Sequence, residues 1–414
     1  MRRISDAIVS ILFLFVLFGP IVLLETELTS INLPSWITSE DAKYLSGGKT
    51  DGNIKANLTI EGFTSKNLQN ALEIEIENRI PFKASAMLAD AESQRQCIKF
   101  ANIPFIWECY PTYFGSQRLF IPKLNALTYI PQKRSVDHLN KLADFGNKLS
   151  EFAKHYPDKR FVVYIVQGYS EPAMNPAIGL IANPTNPTEQ ATTLSEAAKK
   201  ASNVTVLTSK YYSLDEYYND FFKTDHHWNF NGCEHAYNQI AASISLEPAK
   251  PSDHHSIKGY AFSGATARYG RNLVVETVVV SDNTFDYLEI QQPNGTPYHY
   301  NHDAFFNRSD PGKRYGFYDS YYDFIQDGAT VIGNGQRTCL FICNSYGGGI
   351  IPYIASNYSS TKYRSILHPS RSDSTLKLNE LLNADTIDDI IILANPSDID
   401  SFISKCPDFF IFCD

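Results

Sequence analysis

No run of lysine or arginine in this sequence is longer than a pair, and acidic residues outnumber basic ones to give a formal net charge of −9. Such a chain repels a phosphate backbone, which excludes nucleic acid as its partner. Internal repeats and low-complexity tracts are missing as well, so neither a repeat array nor a disordered chain is expected. The three glycines of "NSYGGGII", Gly347 to Gly349, lack the Lys-Ser/Thr of a phosphate loop, and no cofactor is expected there. No spacing of His and Cys matches an established ligand set, so no resident metal is expected either.

What is present is enough apolar material, 43% of 414 residues, for one large core or two moderate ones. Arg2 and Arg3 precede an uncharged stretch of 18 residues from Ala7 to Leu24, just long enough to cross a bilayer. The exit, "LLETELTS", shows no small-x-small cleavage site, which favours an uncleaved anchor over a removed signal peptide. With basic residues on its cytoplasmic side, that anchor puts the N-terminus in the cytoplasm and the bulk of the chain outside. Residues 25–60, rich in Ser, Thr, Gly, Asn and Lys, read as a spacer. The seven cysteines fit that compartment. Cys97 with Cys109, and Cys406 with Cys413, are spaced to close short loops, with connectivity open. Cys339 and Cys343 would lie about 13 Å apart along one face of a strand, too far to bond, and are expected to be buried as small apolar residues.

Residues 61–414 read as an α/β domain. Helical periodicity from Phe63 to about Phe100 is broken at Pro81, which predicts two helices meeting there. A helix over 137–156 feeds "FVVYIVQ", 161 to 167, a continuous apolar strand of the kind buried on both faces of a parallel sheet. "NVTVLTS" as strand and a helix from about Asn231 to Ser243 follow. Near the end "CLFICNS", "YRSILH" and "DDIIILAN" read as strands alternating with helices "IIPYIASNY" and "TLKLNELLN". The region from about 256 to 335 reads as a β-rich insertion of short strands and turns.

Chemistry is expected at the carboxyl edge of such a sheet. In "CLFICNSYGGGIIPYI" a buried strand ends at Asn344, Ser345 stands at the turn, and glycines with Pro352 in the first helical turn follow. Backbone amides of that turn, Gly347 among them, would face a developing oxyanion. A serine hydroxyl needs a base held by a carboxylate. Asp225 and His227 in "TDHHWN" supply both, at an i, i+2 spacing that puts them on one side of an extended loop.

These elements resemble the DHHW proteins, relatives of the alginate O-acetyltransferase group of SGNH-hydrolase-like, membrane-associated proteins. "TDHHWN" followed by "CNSYGGGIIPYIASNY" carries the likeness, and "ENRIPFK" and "YFGSQRLFI" add to it. The sequence departs from the pattern at Asn344, where an Asp is usual, and at Lys83 in place of Arg; Arg371 in "LHPSR" stands where another family position is expected. The resemblance implies an SGNH-like, mostly parallel sheet flanked by helices. It also implies acyl transfer outside the cytoplasm, at the cell surface or in the periplasm, with His227 and Asp225 activating Ser345. Its acceptor would be a polysaccharide hydroxyl, with a membrane-bound O-acyltransferase as acyl donor. Gly347, Asn344, His226, Trp228 and Arg371 are the candidates for oxyanion or substrate contacts.

Water in place of the sugar would make the same site an acetylesterase. Two readings from other classes compete. One is a metal site built from Asp225, His226, His227 and His235, with Asp253, His254 and His255. The other is a noncatalytic polysaccharide-binding or assembly protein in which Ser345 only caps a helix.

Overall fold

The computed structural model describes residues 54–79, 83–101, 109–129, 135–167, 187–248, 254–271, 273–281, 285, 287–295, 297–299, 325–365, 377–384 and 386–411. The expected anchor, Arg371, Asp253 and Cys413 lie outside them, and no helix among them is long and apolar enough to cross a membrane. The chain divides into two compact units.

The first unit gathers the described residues up to Ala101 with Pro111–Arg118 and the stretch Ala267–Leu273. It opens with helices α1 (Ile54–Asn57), α2 (Ile60–Thr64), α3 (Asn67–Arg79) and α4 (Lys83–Ala101). Helix α3 ends at Arg79 and α4 begins at Lys83, so two helices flank the expected break, while Pro81 itself lies outside the described residues. The Arg271 guanidinium lies 5.5 Å over the Tyr113 ring, and that of Arg118 lies 4.4 Å over Tyr269. These cation–π contacts join segments distant in sequence. Cys97 keeps an exposed, free thiol on α4, so the Cys97–Cys109 closure expected from spacing is not formed.

In chain order there follow β1 (Tyr110–Pro111), β2 (Arg118–Ile121) and β3 (Ala126–Tyr129), which form a small sheet. The second unit then builds α5 (Val136–Lys154), β4 (Arg160–Ile165), α6 (Pro187–Ala198), β5 (Val204–Thr208), α7 (Leu214–Asp220) and α8 (Phe230–Ser243). A hairpin of β6 (His254–Phe262) and β7 (Glu276–Ser281) encloses the short helix α9 (Ala265–Tyr269). Next come β8 (Glu289–Gln291), β9 (Pro297–His299), β10 (Thr330–Ile332), β11 (Arg337–Cys343), α10 (Gly347–Ala355), β12 (Tyr358–Arg364), α11 (Leu378–Ala384), β13 (Asp389–Ala394) and α12 (Pro396–Lys405).

The main sheet runs β5-β4-β13-β11-β12-β10-β8-β9. Its first five strands are parallel, with Cys339 opposite Asp389 and Ile390 opposite Phe161. The last three are antiparallel. The 256–335 region therefore splits: β6 and β7 pair with each other, while β8, β9 and β10 extend the main sheet.

Strand alternation divides the core in two. Tyr164, Phe341, Cys339, Cys343, Ile391 and Leu393 point to one face, where Tyr217 of α7, Cys233, Ala236, Tyr237 and Ile240 of α8, and Ile350 and Ile354 of α10 cover them. Phe161, Val163, Leu340, Ile342, Ile390 and Ile392 point to the other, under α5, α6, α11 and α12. Cys339 and Cys343 are fully buried, packed as small apolar residues.

Three local features differ from expectation. The helix after Ser345 starts at Gly347, so Pro352 lies inside it rather than in its first turn. It ends at Ala355, with the Ser356 hydroxyl donating to the Tyr353 carbonyl at 2.7 Å, and β12 begins at Tyr358. Helices α7 and α12, unforeseen, have readable caps: Ser213 accepts from the Glu216 amide at 3.1 Å, and Asn395 from the Asp398 amide at 2.9 Å.

Candidate active site

Residues 221–228 form a loop pinched at its neck between α7 and α8. The Phe222 amide donates to the His227 carbonyl at 3.1 Å, and the Asn229 amide to the Asp220 carbonyl at 2.8 Å. Asn229 also caps α8, its Oδ1 accepting from the Gly232 amide at 3.2 Å. The loop is held over the carboxyl edge of the sheet, where β11 delivers Ser345.

Three side chains, drawn from two segments about 120 positions apart, meet there. Asp225 Oδ1 accepts from His227 Nδ1 at 2.7 Å and from the His227 amide at 3.1 Å. Asp225 Oδ2 accepts from the Ala265 amide at 2.6 Å. With the Nδ1 proton given to Asp225, His227 Nε2 accepts from the Ser345 hydroxyl, 2.8 Å away. Asp225 and His227 are buried, and Ser345 is half-buried. Gly264 backs Asp225 so closely that a Cβ there would lie 2.4 Å from Oδ2, which requires glycine.

The protonation states suit a base. Burial pushes the His227 imidazole down to about 4, and the charge of His226 adds to this against the pull of Asp225. Burial works to raise the Asp225 carboxyl, but the two imidazoles beside it prevail and hold it well below the carboxylate range. At neutral pH the pair is therefore a carboxylate and a neutral ring with a lone pair aimed at the serine.

The loop and the serine turn brace each other. The Trp228 indole donates to the Tyr346 carbonyl at 3.0 Å, and the Tyr346 hydroxyl donates to the His226 carbonyl at 2.8 Å. Trp228 is buried, packed 6.1 Å from Tyr164 and 5.6 Å from Tyr346 between ring centroids. It is a packing anchor, not a surface for substrate.

Asn344 is buried as well. Its amide nitrogen donates to Asp398 Oδ2 at 2.7 Å, and its Oδ1 accepts from the Tyr346 amide at 3.1 Å. It shapes the turn rather than touching substrate. The Gly347 amide donates to the Asn344 carbonyl at 3.0 Å, so this expected oxyanion donor is spent inside the turn. A Cβ at Gly347 would collide with Cys343 Sγ. His226 alone of the described secondary candidates keeps a solvent-facing side chain, 36% exposed, with its ring 4.0 Å from that of His227. Its Nδ1 lies 3.1 Å from Asp225 Oδ1 but makes no hydrogen bond.

The ligating atoms of Asp225, His226 and His227 all lie within 4.8 Å of one another. Both His227 nitrogens are nevertheless occupied, by Asp225 and by Ser345, and both Asp225 oxygens accept backbone amides. The donor set fits a proton relay better than a cation. His235 faces away and pairs with Asp220 at 3.0 Å. The side chains of His254 and His255, at the start of β6, lie outside the described residues.

Sequence reasoning missed Tyr346, Gly264, Thr224, Glu276 and Asp398. Thr224 adjoins the tetrapeptide, Tyr346 follows Ser345, and Asp398 follows the Asn-Pro cap of α12; Gly264 and Glu276 carry no local signal.

No family model matches the chain, and no curated protein does. Among solved structures, Bacillus cereus PatB1 with a sulfonyl adduct is 15% identical with a TM-score of 0.54, covering 72% of this chain and 97% of its own. A DHHW family protein from Eubacterium siraeum DSM 15702 is 15% identical with a TM-score of 0.49, covering 68% of this chain and 92% of its own. In fold the chain is like PatB1, and its mostly parallel sheet is flanked by helices as the resemblance implied.

Proposed function

We propose that this chain is a serine acyltransferase that acts outside the cytoplasm and moves acetyl groups onto hydroxyls of a cell-envelope or exported polysaccharide. The observation that carries the reading is the continuous relay from Asp225 through His227 to Ser345, with contacts of 2.7 and 2.8 Å at the carboxyl edge of a parallel sheet. The other arm is the anchor over residues 7–24, which would hold the domain beside a membrane-bound acyl donor.

In the first half-reaction His227 Nε2 takes the Ser345 proton as Oγ attacks the donor carbonyl. The tetrahedral intermediate collapses, and the leaving group departs with that proton, leaving acetyl-Ser345. The amides of Tyr346, Gly347 and Gly348 are engaged within the turn, which leaves the Ser345 amide as the backbone donor for the oxyanion. In the second half-reaction a sugar hydroxyl gives its proton to His227 and attacks the acetyl carbon. Ser345 Oγ leaves and recovers a proton from His227. Water in the acceptor's place yields acetate and an esterase.

The test offers an activated acetyl ester to the full-length protein and follows Ser345 by mass spectrometry. Acetylation of Ser345, followed by transfer to an added polysaccharide, is the expected result; release as acetate alone assigns an esterase. An unlabelled Ser345 in a folded sample removes both and leaves a glycan-binding scaffold.

Because PatB1 was solved with a sulfonyl adduct, a sulfonyl fluoride is a second probe. It is expected to modify Ser345 in preference to every other serine, since an alcohol hydrogen-bonded to a neutral imidazole reacts as though partly deprotonated. Peptide mapping reads this directly, and scattered modification would count against an activated serine. Acetylation needs the neutral ring, so its rate is expected to fall away as pH drops through about 4.

A further inference from the structure

Behind the relay stands a second carboxylate that the reaction scheme leaves unused. Glu276, the first residue of β7, is half-buried. Its Oε2 accepts from the Lys223 amide at 3.2 Å. Its Oε1 accepts from the Thr224 amide at 2.9 Å and from the Thr224 hydroxyl at 2.5 Å. With its own proton committed to Glu276, the Thr224 oxygen accepts from the Gly264 amide at 3.2 Å. The next amide along, Ala265, is the one that holds Asp225 Oδ2. The backbone that carries Asp225 is therefore clamped by β7 on one side and by residues 264–265 on the other.

Each contact to the Glu276 carboxylate is a donor, and a proton added there would point into other protons. The ionised form is the one that fits. Burial and the charge of Asp225 act against it and lift the carboxyl to about 7, with the Thr224 and Lys223 contacts pulling the other way. The titratable and charged neighbours on the packed elements are Asp225, the Tyr218 phenol and Lys223. Glu276 lines a cavity of about 220 Å³ together with Asn219, Asn229, Asn231 and Thr277.

We infer that Glu276 is a positioning residue of the relay: its carboxylate fixes the backbone of Lys223 and Thr224, and so the angle at which Asp225 presents His227 to Ser345. Loss of its charge slackens that hold. The inference rests on the reading of Ser345 as an acyl acceptor.

The test is the rate of Ser345 acetylation by an activated acetyl ester, followed by mass spectrometry on the full-length protein from about pH 4 to about pH 9. Wild type is expected to show a partial step near 7 above the final loss near 4. Glu276→Gln is expected to abolish the step and lower the plateau rate by about 10- to 100-fold. Thr224→Val should also lower the rate, and Thr224→Ser should restore it. A Glu276→Gln protein that melts earlier yet keeps the step near neutral pH would reduce Glu276 to a structural group and overturn the inference. If Glu276→Gln does not fold, the Thr224 pair decides, and equal rates in Thr224→Val and Thr224→Ser overturn it. A folded wild type that never acetylates overturns the acyl-transfer reading itself, and this inference with it.

Discussion

Replacing Asp225 by asparagine, a change that keeps the side chain's shape, is expected to slow acetylation of Ser345 by about 10⁴-fold. Asp225 Oδ1 now accepts from His227 Nδ1 at 2.7 Å, and Oδ2 from the Ala265 amide at 2.6 Å. An asparagine has only one acceptor for these two donors. If its oxygen faces Ala265, the amide group meets the Nδ1 proton, and the ring is driven to the tautomer protonated at Nε2. That ring has no lone pair for the Ser345 hydroxyl. If the oxygen faces His227 instead, two donors confront each other at Ala265 and the loop loses its seat. The time course of acetyl-Ser345 formation measures the loss, with thermal melting alongside to show that the fold survives. A rate within about 10-fold of wild type would remove Asp225 from the relay.

The largest effect on stability is expected far from the site. Asp389 opens β13 at the amino edge of the sheet, fully buried. Its carboxylate accepts from Arg160 Nε and Nη2 at 2.6 and 2.8 Å, from Arg337 Nε and Nη2 at 2.9 and 2.8 Å, and from the Tyr358 hydroxyl at 2.9 Å. One group thus ties together four neighbouring strands. Asp389→Ala would leave two guanidinium groups facing each other across a void, a loss of about 3–5 kcal/mol for a fully buried network. Both arginines keep about a third of their side chains in solvent, which places the expectation near the lower end, at about 3 kcal/mol. Urea unfolding measures it, and a change below about 1 kcal/mol would mean that the arginines rehydrate at no cost.

The same cluster has a pH signature. Burial opposes the charge on Asp389, but the bonds from Arg160, Arg337 and Tyr358 outweigh it and hold its pKa below the ordinary value. A depressed carboxyl contributes stability that is present above the unfolded value and lost as pH falls through the folded one. The wild-type protein is therefore expected to lose stability in acid below the normal carboxylate range, and Asp389→Asn to lose less over the same span.

The parallel strands were readable because burial on both faces leaves an uninterrupted apolar run, as in "FVVYIV" and "DIIILA". Asp225, His227 and Ser345 were readable because each sits in a short stretch whose spacing already has a chemical meaning. Other features depend on contacts that no local pattern carries. Glu276 meets Thr224 across 52 positions and Asn344 meets Asp398 across 54, so neither partner marks the other in the sequence. The bond of the Gly347 amide to the Asn344 carbonyl was hidden for a related reason. A run of glycines signals freedom, whereas here its first member starts a helix and is glycine because a Cβ would collide with Cys343. The expectations for residues 7–24, Asp253, Arg371 and Cys413 fall outside the described residues.

The bond from Trp228 to the Tyr346 carbonyl and the bond from the Tyr346 hydroxyl to the His226 carbonyl tie the segment of the proton acceptor to that of the alcohol. The gap of 2.8 Å across which the proton passes is thus set by contacts between the loop and the serine turn themselves. The same clasp forbids the two parts from spreading to make room. On the proposed reading, a bulky acceptor would come in on the side of His226, whose side chain is partly exposed.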